Sequence, residues 1–178
     1  MFLFGHLGVT LGLFFILACF LPRFKGRINY WYIAIGALFP DIIDKIIGRV
    51  IFSNSIANSR LIAHTLIFSI LLTAIGFYIY RRRGNANILL LASASFLHII
   101  VDRIWNNTAT FFWPVFGWSF PRRMVHDNWL DYFIQAFRRT YIPDFSFGFI
   151  FELVGFSIIM IFILKYLFLK RKMRRNGL

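Results

Sequence analysis

The chain has 178 residues, 59% of them hydrophobic and only 15% charged, with a mean hydropathy of +0.69. Soluble domains average roughly 45–50% apolar and about 25% charged, so this balance excludes an ordinary soluble domain and reads as one integral membrane domain over residues 1–178. The net charge of +13 would suit nucleic acid, but Arg23, Lys25, Arg27, Arg81, Arg82, Arg83, Lys170 and Arg175 all flank apolar blocks, as cytoplasmic ends facing anionic lipid do, so no nucleic-acid partner is expected.

Spanning the hydrocarbon takes about 20 mostly apolar residues, and the sequence predicts about five such helices. The first covers residues 4–21 and stops at Pro22. It lacks a basic leader and a small-residue cleavage site, so it reads as a retained helix and not as a signal peptide. Within it lies Cys19, the single cysteine, which excludes an intrachain disulfide. A second helix, residues 28–47, meets Pro40 followed by Asp41 and Asp44, where a bend or break is expected. After a polar loop at 53–59, a third helix covers 61–80 and ends at the arginine triplet. A fourth covers 88–105 and contains His98 and Asp102. The aromatic stretch that follows holds a segment, 124–141, in which Trp129, Leu130, Phe133, Ile134 and Phe137 alternate with Asp131, Arg138 and Arg139. That spacing suits an amphipathic helix in the headgroup layer. A fifth helix, 147–168, leads into the basic tail. The fold class is therefore all-α, a polytopic bundle with an interfacial helix, and the basic connections place the N-terminus outside and the C-terminus inside.

Ionisable groups in membrane helices are expensive; they face the interior, pair with one another and mark function. With this topology His6, Asp41, Asp44, Arg60, His64, His98, Asp102 and Glu152 all fall at the same membrane face. His98 and Asp102 are i,i+4, as are Arg60 and His64, so each pair shares a helical face. Imidazoles mixed with carboxylates suit zinc, manganese or iron better than the all-oxygen shells of calcium and magnesium. The competing reading gives each histidine an interhelical hydrogen bond and each carboxylate an ion pair. His126 and Asp127 read as solvated interfacial groups. Glu152 either orients a histidine or pairs with an arginine.

The motifs Gly5-His6, Phe39-Pro40-Asp41-Ile42-Ile43-Asp44-Lys45, Arg60-Leu61-Ile62-Ala63-His64-Thr65 and Leu97-His98-Ile99-Ile100-Val101-Asp102, in this order, resemble those of the membrane-bound, metal-dependent hydrolases of bacteria and archaea. Some of these are described as LexA-binding inner-membrane-associated hydrolases. The stretch with Phe112-Trp113-Pro114 is also similar to the family's segment after its last His-x3-Asp motif. The resemblance implies metal or active-site roles for His6, Asp41, His64, His98 and Asp102. Where some members read Pro-Asp-x-Asp-His, this chain has Asp44 one position later and Lys45 after it.

The expected function is a metal-dependent hydrolase of the inner membrane, holding zinc or manganese and cleaving an ester or phosphoester of a lipid or lipid-linked substrate. Asp41, Asp44 and Arg60 are the candidate catalytic groups: either carboxylate as general base, the arginine as a clamp for the anionic group. The alternative is a non-enzymatic membrane protein, a transporter or scaffold, whose polar cluster ties the helices together. The short cytoplasmic loops leave mainly the basic tail to meet a soluble partner, and membrane lipids are the partners the composition predicts.

Overall fold

A computed structural model describes residues 3–21, 26–52, 58–121, 129–142 and 146–175. The described residues form seven α-helices and no strand: α1 Leu3–Phe20, α2 Tyr30–Lys45, α3 Leu66–Arg83, α4 Asn87–Val101, the single turn α5 Thr108–Phe111, α6 Trp129–Tyr141 and α7 Phe147–Arg175. A π-helical turn, Ile46–Ile51, extends α2, and 3-10 turns at Ile62–His64 and Ile104–Asn106 precede α3 and follow α4. α1 packs on α7 and α2, α2 on α4, and α4 on α3. Two helices are long and apolar enough to cross a membrane, α1 and residues Phe147–Met173 of α7, while α4 is apolar but shorter. α2 has only 16 residues, and α3 carries Arg81, Arg82 and Arg83 in its last turn.

Glycines set the closest helix crossings. A Cβ on Gly8 would run into the backbone of Gly155, and one on Gly155 into that of Phe4. Only the absence of side chains lets α1 and α7 meet this closely, the usual device where helices associate without a hydrophobic drive. Gly36 does the same for α2 against Leu91 and Ala94 of α4. The outward faces stay apolar: Ile16, Phe20, Ile70, Leu71, Phe77, Ile161, Leu164 and Phe168 are all exposed, as lipid-facing positions would be.

Several boundaries differ from the sequence expectation, each for a local reason. α2 continues through Pro40 without a break. Proline has no N–H for the carbonyl four residues back, which is that of Gly36, and Ser95 Oγ on α4 donates to this oxygen at 3.0 Å. The irregularity falls later, in the π-helical turn. The third helix begins at Leu66 and not at 61, because Thr65 caps it: Thr65 Oγ1 accepts from Phe68 N at 3.1 Å and donates to Ile62 O at 2.8 Å. Arg60 and His64 therefore do not share a helical face. α4 stops at Val101, after which Arg103 adopts a left-handed conformation with φ 50°. The amphipathic segment is helical over Trp129–Tyr141, while α7 continues through the basic residues to Arg175. The loop at 53–57, together with Arg122, Arg123, His126 and Asp127, lies outside the described residues.

The Gly8 crossing gives a direct test. Gly8→Leu is expected to destabilise the protein by about 1–3 kcal/mol through overpacking, read as a lower melting temperature of the purified protein. An unchanged melting temperature would contradict the close approach of α1 and α7.

Candidate metal centre

The site is assembled at one end of the bundle from pieces that each end or begin there. α1 brings His6 in its first turns, α2 brings Asp41 and Asp44 in its last turns, the 3-10 turn brings His64, and α4 closes with His98 and its C-cap Asp102. The imidazoles of His6, His64 and His98 are buried, as are Asp44 and most of Asp102. Asp41 is the most accessible of the carboxylates, with 18% of its side chain exposed.

Two triads emerge, each with one potential ligand atom per residue and all within 4.8 Å of one another: His6, His98 and Asp102; and Asp41, His64 and His98. Their union is the set of five residues that the resemblance implied. His64 Nε2 lies 3.7 Å and His98 Nε2 3.8 Å from the same oxygen, Asp41 Oδ1. His64 Nε2 is also 4.0 Å from Asp102 Oδ2, and His6 Nε2 is 3.2 Å from Asp102 Oδ1. The His6 and His98 rings stack at 3.9 Å.

Hydrogen bonds on the far side of the rings determine which nitrogen faces the centre. His98 Nδ1 is 2.7 Å from the Ala37 carbonyl, which can only accept, so Nδ1 carries the proton and Nε2 the lone pair. His64 Nδ1 is 2.7 Å from Asp44 Oδ2. That carboxylate also accepts from the backbone N–H groups of Leu61, Ala63 and His64 at 2.6, 2.9 and 3.2 Å. Its surroundings are donors, so it too leaves His64 Nε2 as the lone-pair nitrogen. Carboxylate or carbonyl support behind an imidazole is the arrangement metal-binding histidines adopt. Both Nε2 atoms are buried without a hydrogen-bond partner among the described residues. Buried polar atoms are seldom left so, and a divalent cation between two imidazoles and two carboxylates would satisfy them together. The residues fit such an ion.

The remaining groups have defined places. Arg60 holds Asp102 through Nε and Nη2, at 3.0 and 2.6 Å from the same oxygen. Its own position is prepared by Asn58, which accepts from Arg60 N at 3.1 Å and donates to Pro121 O at 2.9 Å. Lys45 pairs with Asp41 at 2.6 Å. Glu152 lies on α7, where Oε2 and Oε1 accept from Phe4 N and Gly5 N at 3.0 and 3.1 Å, and Tyr141 donates to it at 3.0 Å. These N–H groups are among those an α-helix start leaves without an intrahelical partner, so Glu152 secures the helix that carries His6. Burial and this carboxylate push the Tyr141 phenol above its ordinary range, keeping it a donor. Sequence reasoning missed Asn58 and Ser95. Neither residue stands in a recognisable motif, and the Pro121 and Gly36 carbonyls to which they donate lie 63 and 59 residues away.

A helical protein with lipid-type outer faces and a buried histidine–aspartate cluster at one end is a membrane protein built around a polar site. The chain belongs to the YdjM inner membrane protein family, whose family model matches residues 1–174. No curated protein and no solved structure matches it.

Asp44 supplies the test of this geometry. Asp44→Ala removes the acceptor of three backbone N–H groups and of His64, and is expected to cost at least about 3 kcal/mol. Equilibrium unfolding of the purified variant measures it; wild-type stability would contradict the four-donor arrangement.

Proposed function

We propose that this protein is a multi-pass, metal-dependent hydrolase of the inner membrane, acting on a phosphoester or ester of a lipid or lipid-linked substrate. The observation that carries the reading is the convergence on Asp41 Oδ1 of the Nε2 atoms of His64 and His98, neither of which has a hydrogen-bond partner among the described residues. His6, Asp41, His64, His98 and Asp102 would hold zinc or manganese, since mixed imidazole and carboxylate donors favour these ions. A divalent ion bound there polarises a phosphoryl or acyl oxygen and supplies a hydroxide near neutral pH.

The chain's own groups divide the remaining work. Asp41, accessible and beside Lys45, is the candidate general base. Asp44 positions His64. Arg60 uses Nε and Nη2 on Asp102, which leaves Nη1 to orient an incoming anion. In the membrane, α1, α2 with its π-helical turn, α3, α4 and α7 are the five spans, with the N-terminus outside and the C-terminus inside. α4, with 15 residues, rises only about 22 Å. That falls about 8 Å short of the roughly 30 Å hydrocarbon, so with its start at the inner boundary the cluster at its end would lie within about 8 Å of the outer headgroups, from where the ester or phosphate of a lipid would reach it. Arg27, Arg81 and Lys170 sit at the opposite end of the bundle, as cytoplasmic anchors do.

Metal analysis of the purified protein tests the reading. Wild type is expected to carry stoichiometric zinc or manganese, and His64→Ala/His98→Ala less than about a tenth of it, in line with the loss of two first ligands. Equal, negligible metal in both would reject the metal centre. Asp102→Asn separates the enzyme from a scaffold. The hydrolase reading expects it to abolish chelator-sensitive hydrolysis of a lipid phosphoester in vesicles, whereas a scaffold would lose only stability.

A further inference from the structure

Beside the cluster lies a groove of about 900 Å³, bounded by Leu3 of α1, Leu38, Asp41, Ile42, Lys45 and Ile46 along α2, and Ile134, Phe137 and Arg138 of α6. Its volume is in the range of about 300–1,000 Å³ that ligand sites occupy. Three features distinguish it from the lipid-facing furrows elsewhere. Most of its described lining residues are apolar, yet the carboxylate among them, Asp41, is also a member of the histidine cluster. Part of its lining comes from the amphipathic α6, which is held to α7 and the start of α1 by Tyr141 on Glu152. Two cations, Lys45 and Arg138, stand on its opposite walls.

We propose that this groove is the binding site for the hydrocarbon chain of an anionic lipid phosphoester, and that it delivers the headgroup to Asp41. The inference rests on the hydrolase reading for its purpose, though not for its test. The chain would lie between Ile42 and Ile46 on one side and Ile134 and Phe137 on the other. Burying each methylene there contributes about 0.8 kcal/mol. The phosphate would sit between Lys45 and Arg138, where charge-assisted hydrogen bonds favour an anion over a neutral alcohol. The other members of the cluster are buried more deeply than Asp41, so the groove approaches the centre past that carboxylate. A lipid phosphate is thus preferred to a neutral ester, and chain length becomes a determinant of specificity.

The experiment uses full-length protein in nanodiscs of neutral phosphatidylcholine and a dodecylphosphonate bearing a diazirine at the chain end. The phosphonate has no ester to hydrolyse, so the result does not depend on activity. Photolabelling is expected on residues 42–46 and 134–138, competed by unlabelled dodecylphosphonate and about tenfold less by dodecanol, the difference one charge-assisted contact of roughly 1.4 kcal/mol would make. Ile42→Trp should reduce the labelling at least about tenfold, and Arg138→Gln should remove the preference over dodecanol. Labelling confined to the outer faces of α3 and α4, or undiminished in a folded Ile42→Trp, would overturn the proposal. A labelled groove in a protein that binds no metal and hydrolyses no phosphoester would instead reject the enzyme and leave the lipid site standing.

Discussion

A carboxylate that accepts four hydrogen bonds in a buried setting determines much of this molecule. Asp44 gathers three backbone N–H groups from the turn before α3 and the Nδ1 proton of His64. A buried non-helical turn survives only where its backbone groups find partners, and this side chain supplies them. The same contact points His64 Nε2 inward. The irregular backbone and the ligand geometry are therefore one interaction seen from two sides, and disturbing either disturbs the other.

A comparable economy holds at the other contributors. Pro40 deprives the Gly36 carbonyl of its helical donor, and Ser95 supplies one from α4, while the next carbonyl, Ala37, receives His98. The seam between α2 and α4 thus fixes the second histidine. α1 is placed differently: its glycines bring it against α7, and the Glu152 side chain closes its first turn. The three imidazoles come from different elements; those of His64 and His98 are oriented from outside the centre, by Asp44 and the Ala37 carbonyl, while the His6 ring stacks on His98 and meets Asp102 within it. This is how rigid sites are built when the ligands come from separate helices.

The helices were legible because of their long apolar blocks, so the α1, α2 and α4 regions could be placed within a few residues, whereas α7 continues past its apolar block through the basic residues. The gathering of His6, Asp41, His64, His98 and Asp102 was legible from the alternation of basic ends, which put the histidines and carboxylates of the apolar segments at one face. What the residues do individually was not. Asp41 and Asp44 are three apart, yet one faces the cluster and the other the turn, because that turn packs against α2 from a distant part of the chain. Arg60 holds Asp102 and does not share a helix with His64, since Thr65 starts α3 afresh. Its side chain offered a capping signal that the continuous apolar run obscured. The continuation of α2 through Pro40 depends on Ser95, and the role of Glu152 on residues nearly 150 positions earlier. No local pattern encodes such pairings.

The central claim is that histidine Nε2 atoms converge on a cation. X-ray absorption at the zinc and manganese edges of the purified protein examines that claim at the atoms themselves. The account predicts a shell of nitrogen and oxygen at about 2.0–2.2 Å, with the outer-shell scattering of at least two imidazoles, lost in His64→Ala/His98→Ala. A shell of oxygen alone, unchanged in that variant, would contradict it.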